Sequence, residues 1–170
     1  MIKNTERFVD SAERNFNNKL AEKYFDIWDT YPIQRYTTVV ETEFISEVAK
    51  LGSRVAVLGS GGGRELPILI DLECDITAID ISDEMLAIGQ ERFNHASINW
   101  LQADLLDLPG NLGKFDFIVC LGAVFNYLPD PNKFLDGVRG LMKENSTFLM
   151  SSINSEHYSE ADGDTRLPDG

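Results

Sequence analysis

Apolar residues recur every three or four positions through the N-terminal part of the chain. They then give way to short unbroken apolar runs separated by polar turns. Phe8, Ala12, Phe16, Leu20, Tyr24, Trp28 and Tyr31 have the spacing of one helix face, which Tyr31–Pro32 ends. A second helix is expected over 38–51: Thr38 and Glu41 have capping-box spacing, Val40, Phe44, Val48 and Leu51 form the stripe, and Gly52 stops it. Five apolar runs follow, over 55–58, 75–80, 97–104, 114–122 and 146–153, and they read as strands. Helix-forming segments lie between them, over 64–70, after Ser82, and over 131–142 with Pro131 in the first turn. Continuous apolar strands alternating with helices predict an α/β domain with a parallel sheet.

The first strand runs directly into Gly59-Ser60-Gly61-Gly62-Gly63, and a helix-forming segment starts at once. Glycines there let the backbone turn sharply and come close to a ligand, while the helix start offers unpaired N–H groups. A P-loop needs Lys and Ser/Thr after its last glycine, but Arg64 and Glu65 stand there. The dinucleotide fingerprint needs a glycine at Arg64, so the pattern that fits is G-x-G-x-G at Gly59, Gly61 and Gly63. A plain tight loop is the competing explanation for this one block.

Asp80 ends the second strand 21 residues after Gly59, where an acid can accept hydrogen bonds from both hydroxyls of a ribose. The alternative is that it merely ends the strand or caps the next helix. Ser82 is better placed for the cap, with Asp83 and Glu84 favourable to the first turn, which leaves Asp80 free for a ligand. Asp104-Leu105 stands at the tip of the third strand, and the fourth leads into Cys120-Leu121-Gly122 and on to Asn126-Tyr127.

With these blocks in order, VAVLGSGGGRE, ITAIDISDEML, LQADLLDLP and FDFIVCLGAVFNYLPD, the chain resembles the class I S-adenosylmethionine-dependent methyltransferases over about residues 24–154. The resemblance implies a Rossmann-like parallel sheet of the methyltransferase type, with helices before it, and S-adenosylmethionine as cofactor. It implies that Gly59, Ser60, Gly61 and Gly63 turn around the methionine part and that Asp80 binds the ribose. Ile81 and Met85 would lie against the adenine, Asp104 would accept from its amino group beside the Leu105 backbone, and Cys120, Leu121 and Gly122 would line the methionine end. Family members usually carry an acid two residues before the first glycine, to help hold the ammonium group; here Val57 stands there, and Glu65 is the acid nearest to substitute for it. Helices before the first strand often cover the ligand in such proteins, so Tyr24, Trp28, Tyr31 and Arg35 are lid candidates, with a core stripe as the alternative. Asn126 and Tyr127 are candidates to face the acceptor, and no residue is assigned to catalysis.

The implied function is methyl transfer to a small-molecule acceptor, less readily to a protein. A binding module without activity and a nucleotide-dependent dehydrogenase stand as alternatives. The net charge of −13 argues against nucleic acid and anionic membrane as partners. No apolar run reaches the length of a membrane span, and the start does not read as a signal peptide, so a cytoplasmic location is expected. Cys74 and Cys120 suit reduced thiols; Cys120 fits a buried structural thiol as well as a ligand contact. His95 and His157 are isolated, so no metal is expected, and His95 is read as a residue serving a helix C-terminus. The chain divides into a helical cap over 1–52, an α/β cofactor-binding domain over 53–154 and a polar, acidic tail over 155–170. The helix and antiparallel hairpin that normally follow a fifth strand in this family have no counterpart after Ile153. The expectation is therefore a fragment of a longer protein, or self-association through an exposed edge of strand five.

Overall fold

The computed structural model describes Lys23, residues 30–94 and residues 96–152. The stripe from Phe8 to Trp28, the proposed tail, His95 and His157 lie outside the described residues. In chain order the elements are α1 (Pro32–Val48), β1 (Arg54–Leu58), α2 (Leu66–Asp71), β2 (Asp75–Asp80), α3 (Asp83–Arg92), β3 (Ile98–Gln102), β4 (Phe115–Cys120), α4 (Pro131–Leu141) and β5 (Met142–Met150). One 3-10 turn, Val124–Tyr127, joins β4 to α4.

The five strands form one sheet in the order β3-β2-β1-β4-β5, and every pairing is parallel. The chain moves outward from β1 through β2 to β3, then returns to β4 on the other side of β1. The carboxyl ends of β1 and β4 therefore flank a topological switch point, where open α/β sheets hold their ligands. Central β1 is covered on both faces. Val55 and Val57 pack with Ile45, Leu66 and Leu69 of α1 and α2, whereas Ala56 and Leu58 pack with Phe134, Val138 and Leu141 of α4. Burial on both sides is why this strand reads as a continuous apolar run.

Local signals set most helix ends. The Ser82 hydroxyl accepts from the Met85 N–H at 3.2 Å to cap α3, and the Asp130 carboxylate accepts from the Lys133 N–H at 3.0 Å to cap α4. The expectation for α1 needs correcting at both ends. Its helix begins at Pro32, since a proline lacks only an N–H that the first turn would leave unpaired, and it ends at Val48. Thr38 lies inside the helix, its hydroxyl donating to the Gln34 carbonyl at 2.9 Å, so the Thr38/Glu41 capping box does not form.

The buried face of α1 also differs from the apolar stripe. Glu41 and Ile45 are buried, while Phe44 and Leu51 are exposed, because α1 turns a carboxylate inward to meet a buried arginine. Strand five differs as well. It begins directly after α4, at Met142, and reaches Met150, with a kink between its pairing of Met142 with Phe115 and of Thr147 with Phe117. Asn145, with φ of 61°, and the Ser146 hydroxyl bonded to the Lys143 carbonyl shape that kink. Among the described residues β5 pairs with β4 alone and is the edge of the sheet.

Candidate functional site

The turn after β1 is built for close approach. Gly59 and Gly63 have φ of +70° and +85°, in the left-handed region that residues with a Cβ avoid. A Cβ on Gly59 would stand 2.6 Å from the Val124 side chain, and one on Gly63 would collide with Leu66. The loops after β1 and β4 thus touch at the switch point. Ser60 is buried, and its hydroxyl has no hydrogen-bond partner among the described residues.

Asp80 joins the turn after β1 to the turn after β2. Its Oδ2 accepts from the Gly61 N–H at 2.7 Å and its Oδ1 from the Ser82 N–H at 3.0 Å. The expectation that Asp80 is wholly free for a ligand is therefore corrected: it also fixes the turn on which the site depends. Each carboxylate oxygen keeps a further lone pair, so the two tasks are compatible. Burial pushes the Asp80 carboxyl above its usual range, against the opposing effect of the Ser82 and Gly61 N–H groups.

The other predicted residues fall into two sets. Met85 and Leu105 are buried, and Ile81 is exposed at the tip of β2. Asp104 is exposed, its Oδ1 accepting from the Leu106 N–H at 2.8 Å. Cys120 and Leu121 are buried at the tip of β4, where burial pushes the Cys120 thiol up to about 12. A thiol that reluctant to ionise behaves as a packing group. Asn126 and Tyr127 are exposed on the 3-10 turn. Gly122 donates its N–H to the Ser151 hydroxyl at 3.0 Å, tying the β4 loop to the end of β5.

Sequence reasoning passed over a polar cluster beside this turn. Arg64 is buried, and its Nη2 is ion-paired with Glu41 of α1 and lies 3.5 Å from Glu65 Oε1. Its Nη1 donates to the Thr38 hydroxyl at 3.1 Å. The available signal was an arginine directly after the glycine run, paired with an acid on the preceding helix; the capping-box reading of Glu41 concealed it. Val57 lies in the apolar core beneath, so no acid approaches the turn from β1. Next to the cluster a cleft of about 380 Å³ runs between α1 and the ends of β4 and β5, lined mainly by Tyr36, Val40, Phe44, Leu121, Leu149 and Met150.

Comparison with known proteins agrees with this architecture. Residues 56–150 match the family model described as "Methyltransferase domain", and the chain belongs to that family. It is similar to the ubiquinone biosynthesis O-methyltransferases of Glaesserella parasuis serovar 5 (strain SH0165), at 23% identity over 86% of the chain, and of Xanthomonas campestris pv. campestris (strain B100), at 24% over 85%. The chain spans 65% and 64% of the length of these two curated relatives. Among solved structures, an S-adenosylmethionine-dependent methyltransferase from Clostridium acetobutylicum ATCC 824 superimposes with a TM-score of 0.63 at 23% identity, over 76% of this chain and 56% of that one. The glycopeptide N-methyltransferase MtfA, complexed with (S)-adenosyl-L-methionine, gives 0.59 at 22%, over 67% and 53%. The Rossmann-like methyltransferase fold is thus the fold of this chain.

Proposed function

We propose that the chain binds S-adenosylmethionine at the carboxyl ends of β1, β2 and β4 and takes part in methyl transfer to a small-molecule acceptor. The observation that carries this reading is the contact between Asp80 and the glycine turn: a half-buried carboxylate holds the Gly61 amide in a turn whose Gly59 and Gly63 leave no room for a Cβ. Family membership and a solved relative that carries this cofactor support it. In this reading Gly59, Ser60, Gly61 and Gly63 enclose the methionine part and Asp80 receives the ribose hydroxyls. Ile81, Met85, Asp104 and Leu105 form the adenine side, and Cys120 and Leu121 close the methionine end. The dehydrogenase alternative lacks its third glycine, because a buried arginine occupies that position.

The cofactor supplies an electrophilic methyl group on a sulfonium. The chain's own contribution is positioning and exclusion of water, which Leu121 and the packed β1 and β4 loops provide. The cleft between α1 and β5 has a mainly apolar lining and suits an apolar small molecule; the net charge of −13 disfavours nucleic acid as acceptor. The test is calorimetric titration with S-adenosylhomocysteine, with NAD as control, followed by transfer of labelled methyl to a panel of apolar hydroxyl and amine acceptors. Saturable binding of the nucleoside alone, followed by transfer, is expected. Binding without transfer reduces the chain to a cofactor-binding module, and binding of NAD instead overturns the reading.

A further inference from the structure

Among the described residues that line the cleft between α1 and the ends of β4 and β5, four carry side-chain oxygens: Tyr36, Thr37, Glu41 and Ser151. Three of them are poorly disposed to read a ligand. The Thr37 hydroxyl donates to the Ile33 carbonyl at 2.9 Å, within its own helix. Glu41 is 7% exposed and ion-paired with Arg64. Tyr36 is 67% exposed, so water competes for its hydroxyl.

Ser151 differs. It is half-buried, follows β5 directly, and is fastened to the tip of β4 by two bonds. Its N–H donates to the Cys120 carbonyl at 3.1 Å, and its hydroxyl oxygen accepts from the Gly122 N–H at 3.0 Å. The oxygen is thereby held close to Leu121, which lines the same cleft. A hydroxyl that accepts one bond keeps its own proton to donate and a second lone pair. No acceptor among the described residues takes that proton.

We propose that Ser151 determines specificity in the cleft by donating this proton to the oxygen of its occupant, and that the occupant is a neutral apolar alcohol or phenol. The inference rests on the acceptor reading above and names the substrate class and the residue that selects it. The free proton calls for an oxygen with a lone pair, which an ammonium does not have. A carboxylate would accept more strongly, but the lining holds one acid and no Lys, Arg or His, so an anion would enter without a counter-charge. A carbonyl could accept as well, yet methyl transfer requires a nucleophilic atom, and a hydroxyl is both.

The test titrates the native chain and Ser151→Ala with 2-naphthol, with naphthalene and with 2-naphthoate, first without nucleoside and then with S-adenosylhomocysteine present. Ser151→Ala is expected to lose about three- to tenfold in affinity for 2-naphthol and nothing for naphthalene, and Ser151→Thr, which keeps a hydroxyl, to restore the difference. Native binding of 2-naphthoate should be weaker than that of 2-naphthol. Unchanged binding of 2-naphthol by Ser151→Ala, or an equal loss for naphthalene, overturns the proposal, since a residue that merely shapes the cleft affects both ligands alike. Tighter binding of 2-naphthoate than of 2-naphthol overturns the neutral class, and no binding of either neutral ligand overturns the whole. Should Ser151→Ala not fold, the native chain decides: a preference for 2-naphthol over naphthalene that is lost in Ser151→Val but kept in Ser151→Thr supports the role, and equal affinity overturns it. If S-adenosylhomocysteine binds while the dependence on Ser151 is missing, this inference fails alone; if the dependence is present and the nucleoside does not bind, the cofactor reading fails instead.

Discussion

The two sides of the switch point are built on different terms. On the β1–β2 side, backbone geometry does the work: left-handed glycines, a loop amide held by Asp80 and a hydroxyl cap on α3 leave little room for substitution. On the α1–β5 side the wall is made of partly exposed apolar side chains along a helix and an irregular edge strand. The first kind of surface fixes one ligand shape, because each backbone feature admits few residues. The second can change its lining with little harm to the fold.

The sharpest way to break this comparison is to add one methyl group on the rigid side. Gly63→Ala combines a disfavoured φ with a Cβ that collides with Leu66. Strain and overpacking together are expected to cost about 2–4 kcal/mol, seen as a lower thermal midpoint. A midpoint within a degree of the native one would mean that the turn rearranges cheaply, and the contrast with the outer wall would lose its basis.

Next comes Asp80→Asn, expected to weaken nucleoside binding by about tenfold or more by removing charge-assisted acceptors. It also carries a pH signature. Burial raises the folded-state pKa of Asp80, so the folded chain without ligand binds this proton more tightly than the unfolded chain does. That contribution is fully present below the unfolded pKa and is lost as pH rises through the folded one. The variant should lack this decline in denaturation curves taken at successive pH values. On the outer wall, Val40→Phe narrows the cleft and should lower acceptor kcat/KM by about tenfold, with nucleoside affinity unchanged. Loss of nucleoside binding in that variant would merge the two sides into one site.

What could be read in advance follows the same division. The strands were legible because burial on both faces demands unbroken apolar runs, and the glycine turn because only glycine tolerates those dihedrals and contacts. Asp80 was found by spacing, but its second task was hidden, since a hydrogen bond from Gly61 across 19 residues leaves no mark in the local pattern. The register of α1 was misread for a related reason. A buried ion pair between Glu41 and Arg64 breaks the rule that the apolar stripe faces inward, and residues far apart in the chain supply its two halves. The kink in β5 was missed because Lys143, Glu144 and Asn145 are polar and break the apolar run, so the strand was read as starting only at Ser146.

The smallest expected effect lies at the opposite end of the sheet, where β1, β4 and β5 are laced by surface charge. Asp116 accepts from the Arg54 N–H at 3.0 Å and from Lys143 Nζ at 2.8 Å. The Lys143 hydrogen bond, followed by the Arg54 amide, holds its carboxyl below the usual range. A depressed folded pKa gives stability that is present above the unfolded value and is lost as pH falls through the folded one. The pair is solvent-exposed, so screening limits its worth: Lys143→Ala should cost about 0.2–1 kcal/mol at neutral pH and low salt. The difference should shrink in high salt and vanish once Asp116 is protonated. A cost well above that range, persisting in salt, would show that the kinked start of β5 depends on Lys143 for its path; the outer edge would then be as tightly specified as the glycine turn.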